Sequence, residues 1–229
     1  MKQISFLKAR NSKMRTIFVF IILSFILVSS FWVFWRENLY ASASQSYESQ
    51  DIATLSKILD NWQSTVGKDA DYSLFKAREQ VLKFAEEGSS ERRSDAIRAF
   101  RRAALKDPVN PSVSYEQAQF YLMLSGLRGA RSDYESYISL MRETCRKDPN
   151  NYYYYSVFFE DLITFLTDMK YLRHGFNKES YLKDLSFAYK NYVRLKQYYA
   201  SQYQDLLKFH LSDDEYKLVT GHAPMSQDS

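Results

Sequence analysis

Residues 96–111 read AIRAFRRAALKDPVNP. Ala96, Ala99, Phe100, Ala103 and Ala104 recur at the three- and four-residue steps that place side chains on one helix face. Pro108 and Pro111 each hold the residue before them out of the helical region, so this spacing predicts a helix over about 91–106 that stops there. The stop recurs. Lys106-Asp107-Pro108-Val109-Asn110 returns as Lys147-Asp148-Pro149-Asn150-Asn151, 41 residues later, each time between two helical patterns.

Working outward, the same periodicity predicts helices over about 51–66, through Ile52, Leu55, Ile58, Leu59 and Trp62, and over 72–87, through Leu74, Phe75, Val81, Leu82, Phe84 and Ala85. Further helices are expected over 114–124, 134–147, 152–169 and 178–211, the last with a break in its middle left open. Gly88 suits a helix end, Gly126 and Gly129 bracket a turn, and Ser212 to Glu215 fits a capping box for a short final helix. Residues 221–229 read as a flexible tail. With 6 Gly and 4 Pro in 229 residues, a sandwich, a barrel or a Gly-rich nucleotide-binding fold is disfavoured. The class is all-α, made of antiparallel helix pairs with short connections.

Ala96, Phe100, Ala103 and Pro108 stand at the spacing that closes a tetratricopeptide repeat, and the chain resembles that family over about residues 72–170. Ala118 and Tyr121 resemble the opening of the next unit, which ends at Pro149. Ser114 stands where the family has a large aromatic, and Tyr137, Met141 and Thr144 depart from the closing pattern. The family period is 34, so a period of 41 implies seven extra residues, expected around 124–132 in the turn within the pair. The resemblance implies a solenoid of stacked pairs over 51–220, with a concave surface that holds peptides or partner helices.

Ile17 to Trp35 carry no charge over 19 residues and are long enough to cross a bilayer core as a helix. Lys2, Lys8, Arg10, Lys13 and Arg15 precede the segment and Arg36 follows it, with no acid among the first 36 residues. Beyond residue 36 there remain 25 basic residues against 27 acidic ones. The basic excess therefore belongs to the N-terminal end, and a nucleic-acid-binding body is disfavoured. The positive-inside rule predicts a cytoplasmic arm at 1–16, a transmembrane anchor at 17–35, a polar stalk at 36–50 and an exported body. A cleaved signal peptide is the alternative, since Ala41-Ser42-Ala43 has the form of a cleavage site. Lipid contact is expected through residues 17–35. The absence of an N-x-S/T acceptor favours a bacterial inner membrane and periplasm over a eukaryotic type II protein.

The search for chemistry yields little. One Cys excludes an intrachain disulfide and any multi-cysteine metal site. His174, His210 and His222 lack metal-ligand spacing, and phosphate-loop, G-x-S-x-G and H-E-x-x-H motifs are missing. No catalytic, cofactor or metal residue is expected, and the chain reads as a non-enzyme. Three clusters invite attention: Glu160-Asp161 as a carboxylate pair, Cys145 beside Arg142, Arg146 and Lys147, and the run Arg98, Arg101, Arg102, read as a solvated face with an anionic ligand as the alternative.

Tyr152-Tyr153-Tyr154-Tyr155 is the densest unusual feature. At 100° per residue four consecutive tyrosines cannot all face one core, so one or two should reach a surface. With Tyr192 and Tyr199 they are the candidate partner-binding residues, while Ala96, Phe100, Ala103, Pro108, Ala118, Tyr121 and Pro149 are the candidate packing residues. The reading is a membrane-anchored periplasmic scaffold that binds other envelope proteins in a flagellar motor periphery, secretion or division complex. A homo-oligomer of the envelope and, behind it, a cell-wall-acting enzyme are the alternatives.

Overall fold

No Gly or Pro interrupts residues 2–48, and helix α1 runs unbroken over Lys2–Glu48. The computed structural model describes residues 2–167, 178–196 and 200–222. Among them the chain forms ten helices and no strand: α1, α2 (Ile52–Thr65), α3 (Ala70–Glu87), α4 (Ser90–Lys106), α5 (Pro111–Arg128), α6 (Arg131–Lys147), α7 (Tyr152–Thr167), α8 (Lys178–Leu195), α9 (Ala200–His210) and α10 (Asp213–Thr220). They divide into two compact units, the first ending at Lys106 and the second beginning at Asp107. The expectation of one body over 51–220 is thus refined: the first proline stop is a boundary between units.

In the first unit α1 changes character along its length. From Phe20 to Trp35 its large apolar side chains are exposed, and the helix is long and apolar enough to cross a membrane. Beyond Arg36, Leu39, Ala43 and Ser46 are buried at helical spacing. Here the structure departs from the expected polar stalk, because residues 36–48 are helical and share a core with Leu55, Leu59 and Trp62 of α2 and Tyr72 and Phe75 of α3. Burying Leu39 contributes about 1.5–3 kcal/mol, and Ala43, fully buried, lets the neighbouring helices approach.

The turn from α2 to α3 fixes this arrangement. Asp69 caps α3, its Oδ1 accepting from the Tyr72 backbone N–H at 2.8 Å, while its Oδ2 takes the Arg36 Nε of α1 at 3.3 Å. Arg36 also pairs with Asp71. Trp35 Nε1 donates to Thr65 Oγ1 at 3.4 Å. From there α1 and α3 run parallel, with Tyr40 edge-on to Phe75 at 5.2 Å and the Arg78 guanidinium 5.1 Å from the Tyr47 ring. Gly88, at φ 65°, closes α3 in the left-handed region that favours glycine, and α4 returns antiparallel. Ala96, Phe100 and Ala103 are buried on its inner face.

A carboxylate lies inside this unit. Glu79 is fully buried on α3, accepting from Ser56 Oγ at 2.6 Å and Lys83 Nζ at 2.7 Å and pairing with Lys76 Nζ at 2.5 Å. Burial by itself raises its pKa, but these hydrogen bonds outweigh burial and hold it below its ordinary value.

In the second unit Asn110 caps α5 and Pro111 occupies its first turn, where a missing N–H costs nothing. The long turn expected around 124–132 is not formed. Residues 124–128 continue α5, 131–133 begin α6, and Gly129 at φ 64° with Ala130 makes the connection. Gly126 lies within α5. The end of α8 meets the start of α7, where Arg194 Nη2 donates to the Pro149 carbonyl at 3.0 Å. The long helix expected over 178–211 divides into α8 and α9, and 197–199 lie outside the described residues. Glu215 accepts from the Ser212 N–H at 3.0 Å and pairs with Lys178, and Ser186 Oγ donates to the Val219 carbonyl at 2.9 Å, which docks α10 on α8. Of the expected tail, 223–229 lie outside the described residues.

Two outcomes follow. Ala43→Leu overfills the α1–α2–α3 core and lowers the first unit's stability by about 1–3 kcal/mol, whereas Ala41→Leu, at an exposed position, changes it by less than about 0.5 kcal/mol; denaturant unfolding of the detergent-solubilised chain compares them, and equal effects would restore the stalk. Glu79 contributes stability that is complete above its ordinary value of 4.5 and is lost as pH falls through its lower folded value. Glu79→Gln therefore destabilises at pH 7 by about 1–3 kcal/mol and flattens the acid limb of the first unit's stability profile.

Candidate functional site

The second proline stop builds the start of α7. Asn151 Oδ1 accepts from the Tyr153 N–H at 3.2 Å, and its Nδ2 donates to Asp148 at 3.1 Å. The helix then turns Tyr154, Tyr155, Phe158, Phe159 and Leu162 inward, all buried, and leaves Tyr152 and Tyr153 45% and 49% exposed. Of the six candidate partner-binding tyrosines, Tyr154, Tyr155 and Tyr192 are core residues and Tyr199 lies outside the described residues. Tyr155 Oη donates to the Cys145 carbonyl at 3.3 Å, and the Tyr192 ring meets Tyr203 edge-on at 4.6 Å. These three are corrected from surface to core, because helix rotation points Tyr154 at Tyr115 of α5, Tyr155 at α6 and α8, and Tyr192 at Tyr203 of α9.

The exposed pair is organised by neighbours that the sequence did not mark. The Tyr153 and Tyr115 hydroxyls are 3.1 Å apart, and the Tyr115 ring lies 5.9 Å from Tyr153 and 5.2 Å from Tyr154. Lys196 Nζ sits 4.3 Å from the centre of the Tyr152 ring, within cation–π range. Burial and the bond with Tyr153 raise the Tyr115 hydroxyl well above its ordinary value. Two half-exposed rings beside one cation can hold apolar and acidic groups of a partner.

The packing candidates occupy both units. Ala118 is buried and Tyr121 packs against the edge of the second unit's core, while Pro108 and Pro149 are exposed at the two stops.

The clusters considered for chemistry disperse. Tyr137 Oη donates to Asp161 at 2.5 Å, whereas Glu160 accepts from Tyr203 Oη at 2.6 Å, so the two adjacent carboxylates serve different tyrosines. Burial raises the Asp161 pKa against the opposing Tyr137 bond. Cys145 is fully buried, and burial pushes its thiol up to about 12. Arg142 turns instead to Asp184 on α8 at 2.5 Å. A half-open cleft of about 210 Å³ between α6 and α8, lined by Tyr134, Arg142, Tyr181 and Asp184, is smaller than the roughly 300–1,000 Å³ of small-molecule sites. No group of His, Cys, Asp and Glu suited to a metal ion occurs among the described residues; His174 lies outside them. No family model, curated protein or solved structure matches the chain.

The Tyr137–Asp161 bond makes a pH-dependent prediction. Asp161's folded value lies above its unfolded one, so the second unit loses stability as pH rises through that window. Tyr137→Phe removes the bond that favours the carboxylate and raises the folded value further. The variant is destabilised by about 1–3 kcal/mol at pH 7 and by less at pH 4; urea unfolding at the two pH values checks the sign.

Proposed function

We propose that the chain is a single-pass inner-membrane protein of a bacterium whose helical body stands in the periplasm and holds partner proteins in an envelope assembly. A flagellar motor periphery, a secretion apparatus and a division complex are the settings that fit. The observation that carries the reading is the exposed pair Tyr152 and Tyr153, set between Tyr115 and Lys196. Rigid aromatic area with hydroxyl tips is the usual currency of partner recognition. The uncharged, exposed stretch of α1 supports the anchor, and the basic residues before it support a cytoplasmic N-terminus. Two-residue turns and alanine-lined faces support a tetratricopeptide-like construction of the pairs. Distinct fates for Glu160, Asp161 and Cys145 support a binding role over an enzymatic one.

Crosslinking in membranes with a photoreactive residue at Asn150, exposed two residues before the pair, followed by mass spectrometry, is expected to recover a recurrent second protein. Tyr152→Ala with Tyr153→Ala lowers its yield about tenfold or more, with expression and helical content unchanged. Recovery of the chain alone would replace the scaffold with a homo-oligomer.

A further inference from the structure

The first unit gathers several features at one end. Trp35 and Arg36 are tied to Thr65, Asp69 and Asp71, so the α2–α3 turn stands level with the point where the exposed apolar part of α1 ends. α3, of 18 residues, runs away from this level and α4, of 17, runs back beside it across a two-residue turn. The last residues of α4 therefore return to the level of Ala70 and Asp71. Lys68 in the turn and Leu105 and Lys106 at the end of α4 are all exposed there, Leu105 by 85%. Exposed Arg101 and Arg102 lie one turn before them in α4, further from this level. Of the carboxylates near this level, Asp69 and Asp71 are already engaged by Arg36, and Asp107, half-buried, directly follows Lys106. The exposed acids nearby are Glu37 and, a turn up α2, Asp60.

We propose that this end of the first unit lies on the bilayer itself, with Lys68, Arg102 and Lys106 on anionic phospholipid headgroups and Leu105 in the interfacial layer. The inference rests on α1 being a membrane anchor. Given that anchor, a helix without a break, latched to its neighbours within one residue of its apolar segment, leaves no spacer to lift the unit away. Cations beside an apolar side chain are what an anionic interface accepts, and headgroup attraction fades within a Debye length, so only residues at this level gain from it. Of the run Arg98, Arg101, Arg102, Arg102 thereby finds an anion, while Arg98 is held by Asp95.

The full chain in nanodiscs tests this. In a Cys145→Ala background, an environment-sensitive fluorophore is placed singly by Leu27→Cys, Lys68→Cys, Glu86→Cys or Leu105→Cys, all exposed positions. Glu86 is the distal control, about 24 Å along α3 from Ala70. The expected result is several-fold stronger quenching by headgroup nitroxide lipid at 68 and 105 than at 86, together with quenching at 27 by a mid-chain nitroxide. Arg102→Glu with Lys106→Glu should then reduce quenching at 68 in phosphatidylglycerol discs and leave phosphatidylcholine discs unchanged. Quenching at 27 with 68 and 105 no different from 86 overturns the proposal and leaves the anchor standing. No quenching at 27 overturns both. Quenching at 68 and 105 that ignores lipid charge overturns the headgroup contacts.

Discussion

Asp69 gives one carboxylate oxygen to the start of α3 and the other to Arg36 of α1. The same side chain thus begins one helix and aligns another beside it. The parallel course of α1 and α3, the seating of Leu39 and Ala43 against Trp62 and the contact of Tyr40 with Phe75 all follow from that alignment. An exposed ion pair alone contributes little. Here it is joined to a helix cap and to apolar burial on the same helix, and its value lies in the register it sets.

The two units solve the problem of burial differently. The first uses alanine, leucine and a few aromatics, with Glu79 as a fully buried charge paired with Lys76 and Lys83. The second is filled with tyrosine. A buried ring brings a hydroxyl that needs a partner, and several find one: Asp161 for Tyr137, Glu160 for Tyr203, the Cys145 carbonyl for Tyr155 and Gln204 for Tyr189, while the Tyr181 hydroxyl is buried without a hydrogen bond among the described residues. Much of the 17% aromatic content is thereby accounted for. The acids that suggested chemistry are acceptors for a phenol-rich core.

What was legible in the sequence was what periodicity and proline encode. Helices α2, α3, α4 and α7 fall close to their expected places because a clean apolar stripe or a stop delimits each. The stretch ASASQSYE defeated the same reading, since Ala43 and Ser46 bury by being small, and smallness marks a stalk as well as a close contact. Gly126 and Gly129 look alike in one dimension, and only the backbone angle shows that one continues a helix and the other ends it. Glu79 was invisible because lysines three residues before and four after it are also the signature of a solvated face. The division of the four tyrosines into two exposed and two buried was expected in kind, but which two depends on the rotation of α7, set by Asn151 and by Phe158 and Phe159 beyond it.

Cys145 carries a consequence of its own. The thiolate is the species that exchanges, oxidises and binds metal, and this thiol is enclosed and held far from ionisation. As the chain's single sulfhydryl, it offers neither oxidants nor other thiols a handle. The native state therefore needs no oxidoreductase to reach it and no reductant to keep it. The second unit is equally at home in a reducing and an oxidising compartment.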